Sequence, residues 1–437
     1  MAADSTEPEI DYFTYVEGNE TGLECPQNYC PGGLHPVHLG DCLGEDGRYR
    51  VLHKLGSGGF AVVWLCRDLQ HDTPRYVAVK IVMAMESTDK CPELHAMKLK
   101  QLGVDQEIGG SSLCLPSNYF WIQGPNGGHL CLVYPVAGPS VSKIARDASS
   151  SRAISRQVVE GLAALHRHGF CHGDFTTSNI LYQLTSLDGF TENQVMKTFG
   201  QPVSTRLLTE SMTPPILPNT PKYLVYPIDF TKVESSLIMD KVYIIDFGQC
   251  YESSLIMDKV YIIDFGQCYE ALNPPKSLGT PARYCPLELL LDNKISGTPC
   301  DLWALGCTLF QICTTWKLFD TFEDNLDDRL YEIVLLRGKL PEPWWTSWKS
   351  RSQHFTDEVD SSGCPERANK MTRRKRFRSL QEQLLYGGNG AHPVPVDEVE
   401  ALADLVGRLL AYNPWDRPSA ETIQKHKWFK MDCISIN

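Results

Sequence analysis

An aspartate and an asparagine stand five residues apart in HGDFTTSNIL, residues 172–181. On a tight loop these two side chains suit two jobs of phosphoryl transfer. Asp174 can take a hydroxyl proton, and Asn179 can give an oxygen to Mg2+. Asp, Ser and Asn also favour turns for local reasons, so the cluster alone reads equally well as a structural turn. Weight comes from its surroundings. Upstream, LGSGGFAVV (55–63) has Gly56 and Gly58, which let backbone amides approach phosphate oxygens, and Val63, which offers an apolar surface to a flat ring. Lys80 in VAVK follows on a strand-like run, spaced to meet the α- and β-phosphates. Glu93 in ELHAMKLK is the candidate to orient Lys80, with Glu86 as its rival and a plain solvated helix charge as the alternative.

A second carboxylate is offered twice. ESSLIMDKVYIIDFGQCY fills residues 234–251 and is repeated letter for letter over 252–269. Each copy ends a β-type run in Asp-Phe-Gly, so Asp246 and Asp264 compete for one metal-binding role. Magnesium uses one or two carboxylates together with phosphate oxygens, so one copy is enough. Loop entropy does not choose between them: 18 extra residues in either loop cost only ~0.2–0.5 kcal/mol.

These residues need a framework. The chain has 437 residues, 42% hydrophobic and 22% charged, ample for a large core. Its net charge of −12 argues against general nucleic-acid affinity and favours basic partners. Strand alternation runs through YRVLHKL, AVVWLCRD, YVAVKIVMA and HLCLVYPV, with a helix expected near Glu93–Leu102. Beyond residue 138 the pattern turns helical: Ile154, Val158, Leu162 and Leu165 share a face that Gly169 ends, and further helices are expected over 302–312 and 399–410. Residues 1–28 read as a loosely ordered polar tail, and the Pro/Thr-rich stretch 201–227 as an irregular surface insertion. NKMTRRKRFRS (369–379) is a basic tract in an acidic chain. The 16 cysteines include no CxxC pair, no apolar run approaches a membrane span, and no signal peptide is evident. A protein of the cytoplasm or nucleus, or both, with reduced thiols and no membrane partner is expected.

Further on come GTPARYCPLE (279–288), DLWALGC (301–307) and NPWDRPSA (413–420). The order and spacing of the glycine loop, Lys80, Asp174/Asn179, Asp-Phe-Gly and these three resemble the eukaryotic protein kinase signature. Residues 29–68, the hinge-like HLCLVYPVAGPSVSKI and the long insertion before Asp-Phe-Gly resemble the SR-protein kinases, which phosphorylate serines in Arg/Ser repeats. The resemblance implies an α+β bilobal fold: a small, mostly β N-lobe over 29–137 and a large, mostly helical C-lobe over 138–432, with an irregular, duplicated insertion at about 182–251. It implies ATP and Mg2+ as cofactors and a monomeric kinase of basic, Arg/Ser-rich proteins that makes no direct nucleic-acid contact. Leu55, Gly56, Ser57, Gly58, Gly59, Val63, Ala78 and Lys80 would line the nucleotide, and Pro135 C=O and Ala137 N–H would meet adenine. Asp174, Lys80 and Glu93 would carry catalysis. Glu288 and Arg417 look like bracing charges, and Asp301 would hold the catalytic loop from below.

By the same resemblance Asp264 is preferred as the metal aspartate beside Asn179, with Asp246 as the alternative. Asp264 lies 24 residues before Glu288, an ordinary activation segment, and Asp246 lies 42 before it. The acidic residues Asp320, Glu323, Asp324, Asp327 and Asp328 suit docking of an Arg-rich chain. Departures are also visible. Ala61 replaces the third glycine, Gly173 an arginine, and Thr176 a lysine near the transferred phosphate, and GTPARYCPLE runs one residue longer than the usual spacing from threonine to glutamate. These keep a pseudokinase scaffold in view. A small-molecule phosphotransferase shares HGD…N but normally lacks DLWALGC and the arginine of NPWDRP.

Overall fold

The computed structural model describes residues 14–16, 22–89, 91–209, 213, 218–246, 251–252, 280–292, 297–319, 325–359, 364–368, 379–386 and 394–431. The chain divides into two compact units: residues 1–94, 114–138 and 183–239 form one, and 95–113, 139–182 and 240–437 the other.

The first unit is built on a six-stranded sheet. Its order is Cys42–Leu43, Tyr49–Ser57, Ala61–Asp68, Arg75–Val82, Gly127–Tyr134 and Asn118–Gly124, and every neighbour is antiparallel. Four of the five long strands coincide with the alternating runs read from sequence; Asn118–Gly124, an edge strand with only part of one face covered, does not stand out there. Because strand side chains alternate, register decides what shares a face. Val63 pairs with Lys80 and Leu65 with Ala78, while Lys80 and Ala78 pair with Leu132 and Tyr134 on the other side. All six therefore share one face. The opposite face packs Trp64, Val79, Cys131 and Val133 into a core with Leu34, Val37, Leu207, Leu224 and Val225.

That core corrects two expectations. The stretch 201–227 is not irregular throughout: Ser204–Thr209 and Tyr223–Val225 pair with each other, and Thr14–Val16 adds a third strand. Residues 22–28 of the supposed loose tail are also tied down. Glu24 is buried, forms an ion pair with buried Lys54, and accepts a 2.7 Å hydrogen bond from Tyr29 Oη. In 201–227 a few large apolar side chains outweigh the polar composition, because burying one is worth about 1.5–3 kcal/mol. Residues 22–28 are held instead through the partners of Glu24.

The second unit is mainly helical. Helix Ala148–Arg167 starts at Asp147, whose carboxylate accepts from Ser150 N–H, and ends at Gly169, where φ is 78°. Thr298–Thr314 is apolar on nearly every side and is buried accordingly; it packs against Ala148–Arg167 and Val396–Leu409. Gly161 matters for a different reason: a Cβ there would sit 2.6 Å from Ile244 Cδ1. A side chain there would make the end of Ile244 shift. The expected helix near Glu93 is a 3-10 turn, Pro92–Leu94, followed by helix His95–Gln101. Among the described residues no helix is long and apolar enough to cross a membrane.

Glu288 and Arg417 form the brace read from sequence. The guanidinium donates to both carboxylate oxygens at 2.7 and 2.9 Å, to Pro299 O and Ala411 O at 2.9 Å, and lies over the Trp303 ring. Both partners are buried, so losing one strands the other charge. Arg417→Leu is expected to destabilise the protein by about 3–5 kcal/mol, with Glu288→Leu in the same chain recovering part of the loss. Chemical denaturation checks this, and equal stability of Arg417→Leu and wild type would contradict it.

Candidate active site

In the first unit Lys80 Nζ lies 2.6 Å from Glu93 Oε1. Glu93 is buried and Glu86 is exposed, so geometry favours Glu93 over its rival. The pairing holds the ammonium on the face shared with Val63 and Ala78. The turn after Tyr49–Ser57 is closed by Gly58 N–H donating to Ala61 O at 2.9 Å. Ser57, Gly58 and Gly59 are exposed, Leu55 and Gly56 half-buried, and a Cβ at any of the three glycines would meet nothing within 4 Å. This loop leaves its backbone open to an incoming anion. Pro135, exposed, and Ala137, half-buried, follow the strand end where Tyr134 pairs with Ala78.

In the second unit the loop 172–179 is fastened from beneath. Asp301, in the first turn of Thr298–Thr314, accepts from His172 N–H at 2.7 Å and Gly173 N–H at 2.9 Å. His166 Nε2 is 2.9 Å from the same carboxylate. Gly173 has a φ of 77°, so an arginine at this position would be strained in this loop. The Asp174 side chain then meets Asn179, whose Nδ2 donates to Asp174 Oδ2 at 2.9 Å and to its carbonyl at 3.0 Å.

Asp246 joins this cluster. His172 Nδ1 accepts the Asp174 N–H at 3.3 Å, so Nε2 carries the ring proton and donates to Ile245 O at 2.9 Å. Ile245 N–H donates to Asn179 O at 2.9 Å. Asp246 itself adopts a φ of 65°, and Tyr251–Glu252 then pairs antiparallel with Phe170–Cys171 just ahead of the loop. Ile245 and Tyr251–Glu252 therefore each meet residues within 170–179. Asp264 lies outside the described residues.

Burial pushes the Asp174 carboxyl above the usual carboxylate range; the carboxylates of Asp246 and Asp301 push the same way, and the Asn179 amide pulls against them. Asp174 Oδ1 is buried with no protein partner. An orphaned carboxylate oxygen beside a second carboxylate and an amide fits a hard divalent cation, and the donors are all oxygens, as Mg2+ prefers. Among the described residues no three His, Cys, Asp or Glu converge as a ready-made metal cage. Magnesium does not need one where phosphates supply the remaining oxygens.

Thr280 Oγ1 donates to Gly173 O rather than to the Asp174 carboxylate. Thr176 is buried, its carbonyl accepting from Asn179 N–H. Of the acidic cluster, Asp320, Glu323 and Asp324 lie outside the described residues, as do 369–378 of the basic tract. Asp327 and Asp328 open helix Leu326–Arg337, and Asp327 Oδ1 accepts from Trp348 Nε1 at 2.6 Å. Sequence reasoning missed His166 and His172, although two histidines six residues apart just before Asp174 were a usable signal.

Residues 49–193 and 252–429 match the family model described as Protein kinase domain. SRSF protein kinase 3 of Homo sapiens is 34% identical over 168 residues, 36% of this chain and 29% of the relative. Serine/threonine-protein kinase spk-1 of Caenorhabditis elegans is 31% identical over 193 residues, 42% of this chain and 19% of the relative. Protein kinase dsk1 of Schizosaccharomyces pombe is 31% identical over 183 residues, 40% and 33% of the two chains. The chain spans a third or less of these relatives' lengths.

Removing a like charge should lower a carboxyl raised by it. In metal-free protein, carboxyl-carbon NMR is expected to find Asp174 titrating above about 3.9, the ordinary aspartate value, and Asp246→Asn is expected to bring it down. An ordinary titration in wild type, or no movement in the variant, would contradict the assignment.

Proposed function

The chain belongs to the protein kinase domain family, and from that premise we propose that it transfers the γ-phosphate of ATP to serine in basic, Arg/Ser-rich proteins. The observation that carries this reading is the Asp174–Asn179 arrangement: a fastened carboxylate with one oxygen held by the amide and the other buried without a protein partner. Asp174 takes the serine hydroxyl proton, orienting the oxygen for attack. Lys80, steadied by Glu93, clamps the α- and β-phosphates. The amides of Gly56 to Gly59 meet phosphate oxygens, and Leu55, Val63 and Ala78 cover the base, with Pro135 and Ala137 bonding its edge. Asn179 and an Asp-Phe-Gly aspartate would hold Mg2+, which when bound offsets phosphate charge.

We take Asp246 as that aspartate. Its support is the contacts of residues 245 and 251–252 with the catalytic loop, together with the raised Asp174 carboxyl. One observation favours Asp264 instead: the family match resumes at residue 252 and so runs through the second copy. The SR-protein class of substrate is supported by the likeness to SRSF protein kinase 3 and by the net charge of −12, which attracts basic chains. A monomer acting in the cytoplasm or nucleus, without nucleic-acid contact, completes the proposal.

Asp174→Ala and Lys80→Met should each cut incorporation of labelled phosphate into an Arg/Ser peptide by about 10²–10⁴-fold, the usual worth of a positioned base or clamp. A folded wild type that incorporates nothing would mean a pseudokinase; transfer to amino alcohols instead would mean a small-molecule kinase. Docking has its own test. Asp327 is engaged by Trp348, so Asp324→Asn with Asp328→Asn removes charge while leaving that contact in place. Peptide KM should rise and lose its salt dependence; an unchanged KM and salt response would remove this docking site.

A further inference from the structure

Three buried side chains from three separate parts of the second unit meet oxygen to oxygen. Tyr284 Oη, from the turn Ala282–Tyr284, donates to Gln311 Oε1 at 2.5 Å. Thr177 Oγ1, two residues before Asn179, donates to the same oxygen at 3.0 Å and lies 3.1 Å from Tyr284 Oη. Gln311 belongs to Thr298–Thr314, the helix whose Asp301 fastens the catalytic loop. Burial raises the Tyr284 phenol above its usual range, so it remains a neutral donor.

Proton counting identifies the keystone. Two hydroxyl protons serve three contacts, and only the Gln311 carbonyl, with two lone pairs, can accept both. Without it the two hydroxyls could satisfy only one bond between them, in a place closed to water. Two more links run alongside: Thr280 Oγ1 to Gly173 O, and Thr308 Oγ1 to Phe175 O at 3.2 Å. Hydroxyl groups of Thr280 and Tyr284 thus join segment 280–288 to the catalytic loop. Thr176, next to this network, brings no cation to the join.

We propose that Thr177, Tyr284 and Gln311 are positioning residues that hold segment 280–288 in register with the catalytic loop and so set where an acceptor hydroxyl stands relative to Asp174. The hydroxyl network does here, without charge, what an ion pair across the same join would do. It is insensitive to salt and to pH across the physiological range, since none of its three groups ionises there. This rests on the kinase reading for its consequence, but the positioning itself is measurable without activity.

The test uses the full chain and two readouts: amide hydrogen exchange across 172–181, and steady-state kinetics with an Arg/Ser peptide and ATP. Tyr284→Phe and Thr177→Val are each expected to speed catalytic-loop exchange about fivefold, the factor one net hydrogen bond gives. Peptide KM should rise by a similar factor while the KM for ATP holds, and Thr177→Ser, which keeps the hydroxyl, should behave as wild type. Tyr284→Phe removes a single atom, so it decides the matter if Thr177→Val does not fold. Wild-type exchange in Tyr284→Phe would overturn the proposal, as would faster exchange with an unmoved peptide KM in an active enzyme. Faster exchange with a wild type that phosphorylates no peptide would uphold the positioning and sink the kinase reading.

Discussion

One carboxylate holds the catalytic half of the second unit together. Asp301 sits in the first turn of the most buried helix, where the helix dipole favours a negative charge, and its two oxygens take three hydrogen bonds from His166, His172 and Gly173. Two of those donors are backbone amides of the residues immediately before Asp174. The base is therefore fixed to a rigid helix through the main chain. Losing Asp301 would leave those amides buried and unsatisfied, at about 1–3 kcal/mol each.

What Asp301 fixes, the local charges leave unfinished. Burial raises the Asp174 carboxyl, Asp246 and Asp301 add to it, and one Asp174 oxygen has no protein partner. A structural cluster would be expected to close such a gap with a donor. Here the chain supplies Asn179 on one side only, which is the arrangement of a site prepared for a cation and a hydroxyl rather than a completed turn. In the first unit the Lys80–Glu93 pair has a comparable character: the ammonium is held but remains on a face that includes the open glycine loop.

Much of this was legible in sequence where one residue type admits few explanations. Period-two alternation found the long strands of the first unit, and apolar spacing with a terminal glycine found helix Ala148–Arg167. The site was legible because Lys80, Asp174 and Asn179 come in a set order. Long-range contacts were not. Glu24 reads as one more acid in a polar tail until Lys54 and Tyr29 close over it. Leu207, Leu224 and Val225 are too few to announce strands among prolines, yet they complete a core. Thr177, Tyr284 and Gln311 share no spacing at all. The repeat poses the hardest case, since identical residues carry no local information; the contacts of Ile245 with His172 and Asn179 are long-range and could not be read from it.

The account's central claim is a magnesium-dependent kinase site in which Asp246 works beside Asp174. The most direct measurement is Mg2+-dependent transfer of labelled phosphate to an Arg/Ser peptide by two point variants, Asp246→Asn and Asp264→Asn, alongside wild type. The account predicts that Asp246→Asn abolishes transfer while Asp264→Asn retains most of it. Loss in Asp264→Asn alone, or equal transfer by all three proteins, would contradict it.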